Sequence, residues 1–180
     1  EVWPVDTVRF SNHPGHDTWR GRRLAADEIG DVLSGIEERG AFGFCRAVLS
    51  GYLGSAETGR LVGETVARVK KAAPEALYCC DPVIGDAAEG IYVEEDLVRL
   101  FAADLVPAAD IVVPNAFEIS VLTDCPVDDI ASALDAADRL RARGPASVIV
   151  TSVPGAETGS LATLAVDGDE AWVVETPRLE

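Results

Sequence analysis

Apolar and polar positions along this chain follow two rhythms. Short runs rich in β-branched residues at 2–9, 47–51, 77–80, 111–113 and 147–150 read as strands. Between them, apolar residues recur at spacings of three and four. Ile29, Val32, Leu33 and Ile36 share one face of a helix from Asp27, its expected cap, to about Arg39. Leu61, Val62, Thr65, Val66 and Val69 share a face of a second helix, capped by Ser55 or Thr58 and running to Lys71. Further helices are expected over 94–104, 119–122 and 128–143, the last capped by Asp128. Residues 161–166 and 171–175 flank Asp167-Gly168 as a hairpin. Residues 10–23 are polar and contain Pro14, Gly15 and Gly21, which predicts a loop.

Strands alternating with helices predict βαβ units and a parallel sheet. The strands are short and apolar throughout, as in sheets covered on both faces. Neither an internal repeat nor a low-complexity linker divides the chain, so residues 1–180 are expected to form a single α/β domain.

Composition narrows the function classes. Hydrophobic residues make up 48% and charged residues 26%, a globular balance. The net charge of −16 argues against nucleic-acid and anionic-membrane partners. No apolar run is long enough to cross a bilayer, and residues 1–6 do not resemble a signal peptide, so a cytoplasmic location is expected. Cys45, Cys79, Cys80 and Cys125 form no CxxC pair and read as buried free thiols; adjacent Cys79 and Cys80 should face opposite sides of a strand. The chain has no Met and begins at Glu1, which reads as an internal fragment.

In open α/β sheets ligands bind beyond the carboxyl ends of the strands. The unusual residues gather there: Phe10-Ser11-Asn12-His13, Gly51-Tyr52, Asp81 to Asp86, Pro114 to Glu118, and Thr151-Ser152. Carboxylates at strand ends can hold a hard cation through oxygen and water. Asp81 and Asp86 could equally cap turns, and Asn115 with Glu118 has the spacing of a helix capping box. Neither a GxGxxG nor a GxxxxGK(S/T) motif occurs, which disfavours dinucleotide-binding Rossmann enzymes and P-loop NTPases.

Together, Thr7-Val8-Arg9-Phe10-Ser11-Asn12-His13, residues 49–57 (LSGYLGSAE), residues 80–86 (CDPVIGD) and residues 110–118 (DIVVPNAFE) resemble the pyridoxal kinases of the ribokinase-like superfamily. The resemblance runs from about Val2 to Val150. It implies a three-layer α/β/α fold: a mostly parallel central sheet with helices on both faces, incomplete here at both termini.

The implied activity is ATP-dependent phosphorylation of the 5′-hydroxymethyl group of pyridoxal. Phe10, His13, Pro14, Gly15 and Tyr52 would contact the B6 substrate, although a Thr is common at the Pro14 position. Asp81, Tyr92, Val113, Asn115, Glu118 and Thr151 would bind ATP. Asp81, Asp86 and Glu118 would serve Mg²⁺ or another divalent cation, partly through water, with a monovalent cation as a further cofactor. The family's general-base aspartate is expected beyond Glu180, so no catalytic base is named here and the fragment alone is expected to be inactive. Pyridoxine and pyridoxamine are further candidate substrates, and a homodimer is the implied assembly. The alternatives are a hydroxymethylpyrimidine-type kinase and a non-catalytic vitamin B6 or nucleotide-binding fragment.

Overall fold

The computed structural model describes residues 1–155, 157 and 159–178. The polar N-terminal stretch folds locally. β1 (Val8–Phe10) pairs antiparallel with β2 (Gly21–Arg23) in a separate two-stranded hairpin. The expected parallel strand over 2–9 therefore does not form: Pro4 supplies no ladder N–H, and the partner of the strand lies only a loop away.

α1 (Ala26–Glu38) starts one residue before the expected cap. The carboxylate of Glu28 accepts from the amide of Ala25, while Asp27 accepts from Glu28 N. A 3₁₀ turn (Ala41–Phe44) leads to β3 (Ala47–Ser50). Ser55 caps α2 (Ala56–Ala72), its Oγ accepting from Thr58 N, and β4 (Leu77–Cys80) follows. A second small hairpin, β5 (Gly85–Asp86) with β6 (Gly90–Ile91), precedes α3 (Glu95–Leu100).

That helix continues through a π-helical turn (Phe101–Leu105) into α4 (Val106–Ala108). The widened turn lies just before Pro107, whose ring would crowd the carbonyl four residues back in a regular α-helix. Next come β7 (Ile111–Val112), α5 (Ala116–Thr123), α6 (Ile130–Arg141), β8 (Ser147–Pro154), β9 (Ser160–Asp167) and β10 (Glu170–Pro177). Asp129, not Asp128, caps α6 by accepting from Ser132 N.

The central sheet has the order β10-β9-β8-β7-β4-β3. β3, β4, β7 and β8 run parallel; β9 and β10 extend the sheet as an antiparallel meander closed at Gly168. The chain is thus an α/β fold around a mostly parallel sheet. Alternation along the strands sends Ser50, Tyr78, Cys80, Val112, Val148, Val150 and Leu164 into one core. There they meet Leu53 and Val66 of the α2 region, Leu97 and Phe101, Ile119 of α5 and Leu140 of α6.

Ala47, Leu49 and Leu77 point the other way and are exposed, Leu49 by 74%. Among the described residues the helices cover one face only, so two of the three expected layers are present. Uniformly apolar strands predict cover on both faces; on the second face of β3 and β4, Leu49 and Leu77 are instead exposed. All four cysteines are free, as expected, but only Cys80 is buried; Cys79 lies half-buried on the opposite face. Among the described residues no helix is long and apolar enough to cross a membrane.

Candidate functional site

The carboxyl ends of β3, β4, β7 and β8 open on one side of the sheet. Backbone hydrogen bonds stitch them together: Asp81 N donates to Ser50 O, Val113 N to Cys80 O and Thr151 N to Pro114 O, each at 2.9 Å. Asn115 bridges to Thr151, where the register of β8 shifts between Val150 and Val153. Ser152, beside Thr151, adopts a left-handed φ of 57°, unusual for a residue with a Cβ.

Beneath this rim the hydroxyls of Ser50 and Tyr78 lie 2.9 Å apart in the core. Burial drives the Tyr78 phenol far above its ordinary range and the Cys80 thiol up to about 11, so both stay neutral. The sequence reading missed this pair: Ser50 and Tyr78 sit on different strands, and only the parallel register brings them together.

Asp81 is half-buried at the end of β4. Among the described residues its carboxylate accepts no hydrogen bond, and burial raises its pKa. Glu118 is 3% exposed and fully engaged. Its Oε2 accepts from Asn115 N at 2.8 Å, and its Oε1 from Ile84 N at 3.0 Å and Gly85 N at 3.4 Å. Asn115 Oδ1 accepts from Glu118 N at 2.9 Å, which completes a capping box on α5. Burial pushes the Glu118 carboxyl up, the three amides oppose it, and the nearby charge of Asp81 adds to the rise.

Asp86 serves its own turn, Oδ1 accepting from Ala88 N and Glu89 N at 2.8 Å each. Tyr92 closes the group. Its phenol is raised first by burial and then by the charges of Glu118, Asp86 and Asp81.

The B6-side candidates lie on the β1–β2 hairpin and at the end of β3. Phe10 packs on Trp19 with ring centroids 4.6 Å apart, a partner the sequence reading overlooked. Asn12 Nδ2 donates to the carbonyls of His13 and Thr18, and His13 Nδ1 accepts from Gly15 N. Thr7 Oγ1 donates to Tyr52 O at 2.6 Å and fastens the hairpin to the loop after β3. Tyr52 thus sits at the junction of hairpin and sheet, Phe10 packs within the hairpin, and His13, Pro14 and Gly15 stand exposed at its tip.

Among the described residues no three His, Cys, Asp or Glu side chains converge to hold a metal ion. Asp81, Asp86 and Glu118 therefore do not form a direct cage. One free carboxylate beside two committed ones suits a hydrated cation held mainly by a ligand's phosphates. A cavity of about 700 Å³ lies elsewhere, as an open groove between α1 and α2 near Asp27, Asp31, Glu64 and Arg68.

Over 99% of its length the chain is 48% identical to pyridoxal kinase PdxY of Leifsonia xyli subsp. xyli and 48% identical to that of Deinococcus radiodurans. It spans 64% and 62% of those two relatives. Pyridoxal kinase of Leishmania donovani in complex with ADP and pyridoxamine superposes over 98% of this chain and 62% of that one, with a TM-score of 0.89 at 29% identity. Residues 43–180, more than half of the chain, match the family model described as phosphomethylpyrimidine kinase, and by that match the chain belongs to the phosphomethylpyrimidine kinase family.

Proposed function

We propose that the protein binds ATP and pyridoxal and transfers the γ-phosphoryl group to the 5′-hydroxymethyl oxygen of pyridoxal. The observation that carries this reading is the Asp81 carboxylate: half-buried, raised in pKa and without a hydrogen-bond partner among the described residues, at a strand end where four loops converge. Leaving such a group unpaired is costly unless a ligand completes it. The near-50% identity to pyridoxal kinases and the pyridoxamine complex of the Leishmania neighbour support the B6 substrate.

Asp81 would meet a hydrated Mg²⁺, with Asp86 and Glu118 reached through water; the cation would neutralise charge developing on the phosphates. Val113, Asn115 and Thr151 would line the nucleotide side, and Tyr92 would fold over it. Phe10 and Tyr52 would flank the pyridine ring, with His13, Pro14 and Gly15 closing from the hairpin tip. The acceptor hydroxyl's proton would pass to a general-base carboxylate. Pyridoxine and pyridoxamine would be accepted as well, and the protein would act as a cytoplasmic homodimer.

Titration calorimetry tests this assignment. His13→Ala and Tyr52→Ala should weaken pyridoxal binding about tenfold or more while leaving MgATP binding within about twofold. Equal loss of both affinities would reject the pocket. In a polypeptide that carries the general base, Asp81→Asn should lower turnover about 100-fold, the scale of losing one preorganised electrostatic group. The family model's description favours one second reading, a hydroxymethylpyrimidine substrate. A substrate panel in which the pyrimidine outcompetes every B6 vitamer would establish it.

A further inference from the structure

We propose that Asn115 and Glu118 form a clamp that positions the β5–β6 flap, so that Glu118 acts on the nucleotide by holding Asp86 and Tyr92 in place. The inference rests on the proposed function and assigns a separate task within it.

Ile84 and Gly85 are buried, and buried amides must find acceptors. Those of Ile84 and Gly85 find Glu118 Oε1, more than thirty residues away in sequence. On the following peptide, Asn115 Nδ2 donates to Gly85 O at 2.9 Å. Ile84 O accepts from Tyr92 N at 3.2 Å, where the flap returns. All four backbone polar groups at the flap root are thereby committed, two to Glu118 and one to Asn115. Gly85 also permits a close approach: a Cβ there would run into Gly90 O and the Phe117 ring.

A helix cap alone does not account for this arrangement. The capping box uses Oε2, on Asn115 N, while Oε1 lies outside the box and serves the flap root. Direct ligation accounts for it no better, because a side chain 3% exposed with three amide donors on its oxygens has little left to offer a cation. Asp81 is the open carboxylate; Glu118 is the one that holds the loop.

The test combines hydrogen exchange with steady-state kinetics, the latter in a polypeptide that carries the general base. Glu118→Gln keeps one acceptor oxygen and turns an NH₂ toward an amide donor, so one arm of the clamp is lost. Asn115→Ser keeps a capping acceptor but is too short to reach Gly85 O. Both variants should speed exchange at Ile84 and Gly85 about tenfold or more. KM for ATP should rise about tenfold while kcat changes less than about threefold.

Native exchange at Ile84 and Gly85 in both variants would overturn the clamp. So would faster exchange with KM and kcat both unchanged, which would mark a purely structural contact. A kcat loss restored by added Mg²⁺, with native exchange, would leave Glu118 with its water-mediated cation role alone and again overturn the clamp while leaving the proposed function standing. Should Glu118→Gln fail to fold, Asn115→Ser decides alone. Failure of the proposed function itself would show separately, as an Asp81→Asn variant with native MgATP affinity and turnover.

Discussion

Asp81 and Asp110 flank opposite ends of the parallel strands in contrary electrostatic surroundings. Burial alone would push the Asp110 carboxyl up, but the hydrogen bond from Lys70, the Tyr78 amide and the Lys70 charge outweigh it and hold it below the ordinary range. Lys70 Nζ lies 2.7 Å from Asp110 Oδ2, which also accepts from Tyr78 N at 2.6 Å. A carboxyl depressed in the folded state stabilises the fold above its unfolded pKa of about 3.9, and that share is lost as pH falls through the lower folded value. Asp110→Asn should therefore lower stability at pH 7 by about 1 kcal/mol or less, since both partners are about a third exposed. It should also flatten the decline of melting temperature below about pH 4; an unchanged acid limb in thermal melts would reject the brace. Asp81 carries the opposite bias, because its charge is desolvated without compensation. Asp81→Asn should leave the melting temperature at pH 7 equal or higher while it removes cation binding. A drop of several degrees would instead make Asp81 a structural cap. Asp81 was legible in the sequence because a strand end delivers it. Asp110 was not, because its partners Lys70 and Tyr78 come from a different helix and strand.

At the scale of elements, periodicity located every strand of the parallel core from β3 to β8 within a few residues, because apolar runs flanked by Gly, Pro or Asp have few other readings. It failed where context decides. Residues 2–9 alternate as a core strand would, yet the chain turns back over residues 11–20 and pairs locally. Asp128 and Asp129 are equivalent in sequence, and only the geometry that lets Ser132 N reach Asp129 selects between them. At the site, strand ends and order were legible, but the Asn115–Glu118 spacing fits either a cap or a cation shell, and only the fold brings the amides of Ile84 and Gly85 to Glu118. One junction depends on a single glycine. Gly144 has a φ of 151°, and a Cβ there would strike the backbone of Pro107. This contact joins the end of α4 to the approach of β8. Gly144→Ala should cost about 1–3 kcal/mol in chemical denaturation, the range for forced overpacking. A loss below about 0.5 kcal/mol would mean that the junction yields without strain.

Among the described residues the sheet is lopsided: helices cover one side, while Leu49 and Leu77, on the edge strand β3 and its neighbour β4, meet water on the other. The same molecule carries a net charge of −16. These two features pull its colloidal behaviour in opposite directions. Like charges keep copies apart over a Debye length of about 10 Å at 0.1 M salt, shrinking to about 3 Å at 1 M. The bare apolar face attracts at contact and is nearly indifferent to dilute electrolyte. Salt should therefore act as a trigger: light scattering at fixed protein concentration should show self-association rising from low to high sodium chloride. Leu49→Lys should suppress it by placing a charge in the middle of the sticky surface. Association that instead weakens with salt would mean that ion pairs, not this face, bring the copies together. If the uncovered sheet governs, ionic strength becomes the handle that sets whether the chain is handled as single particles or as clusters.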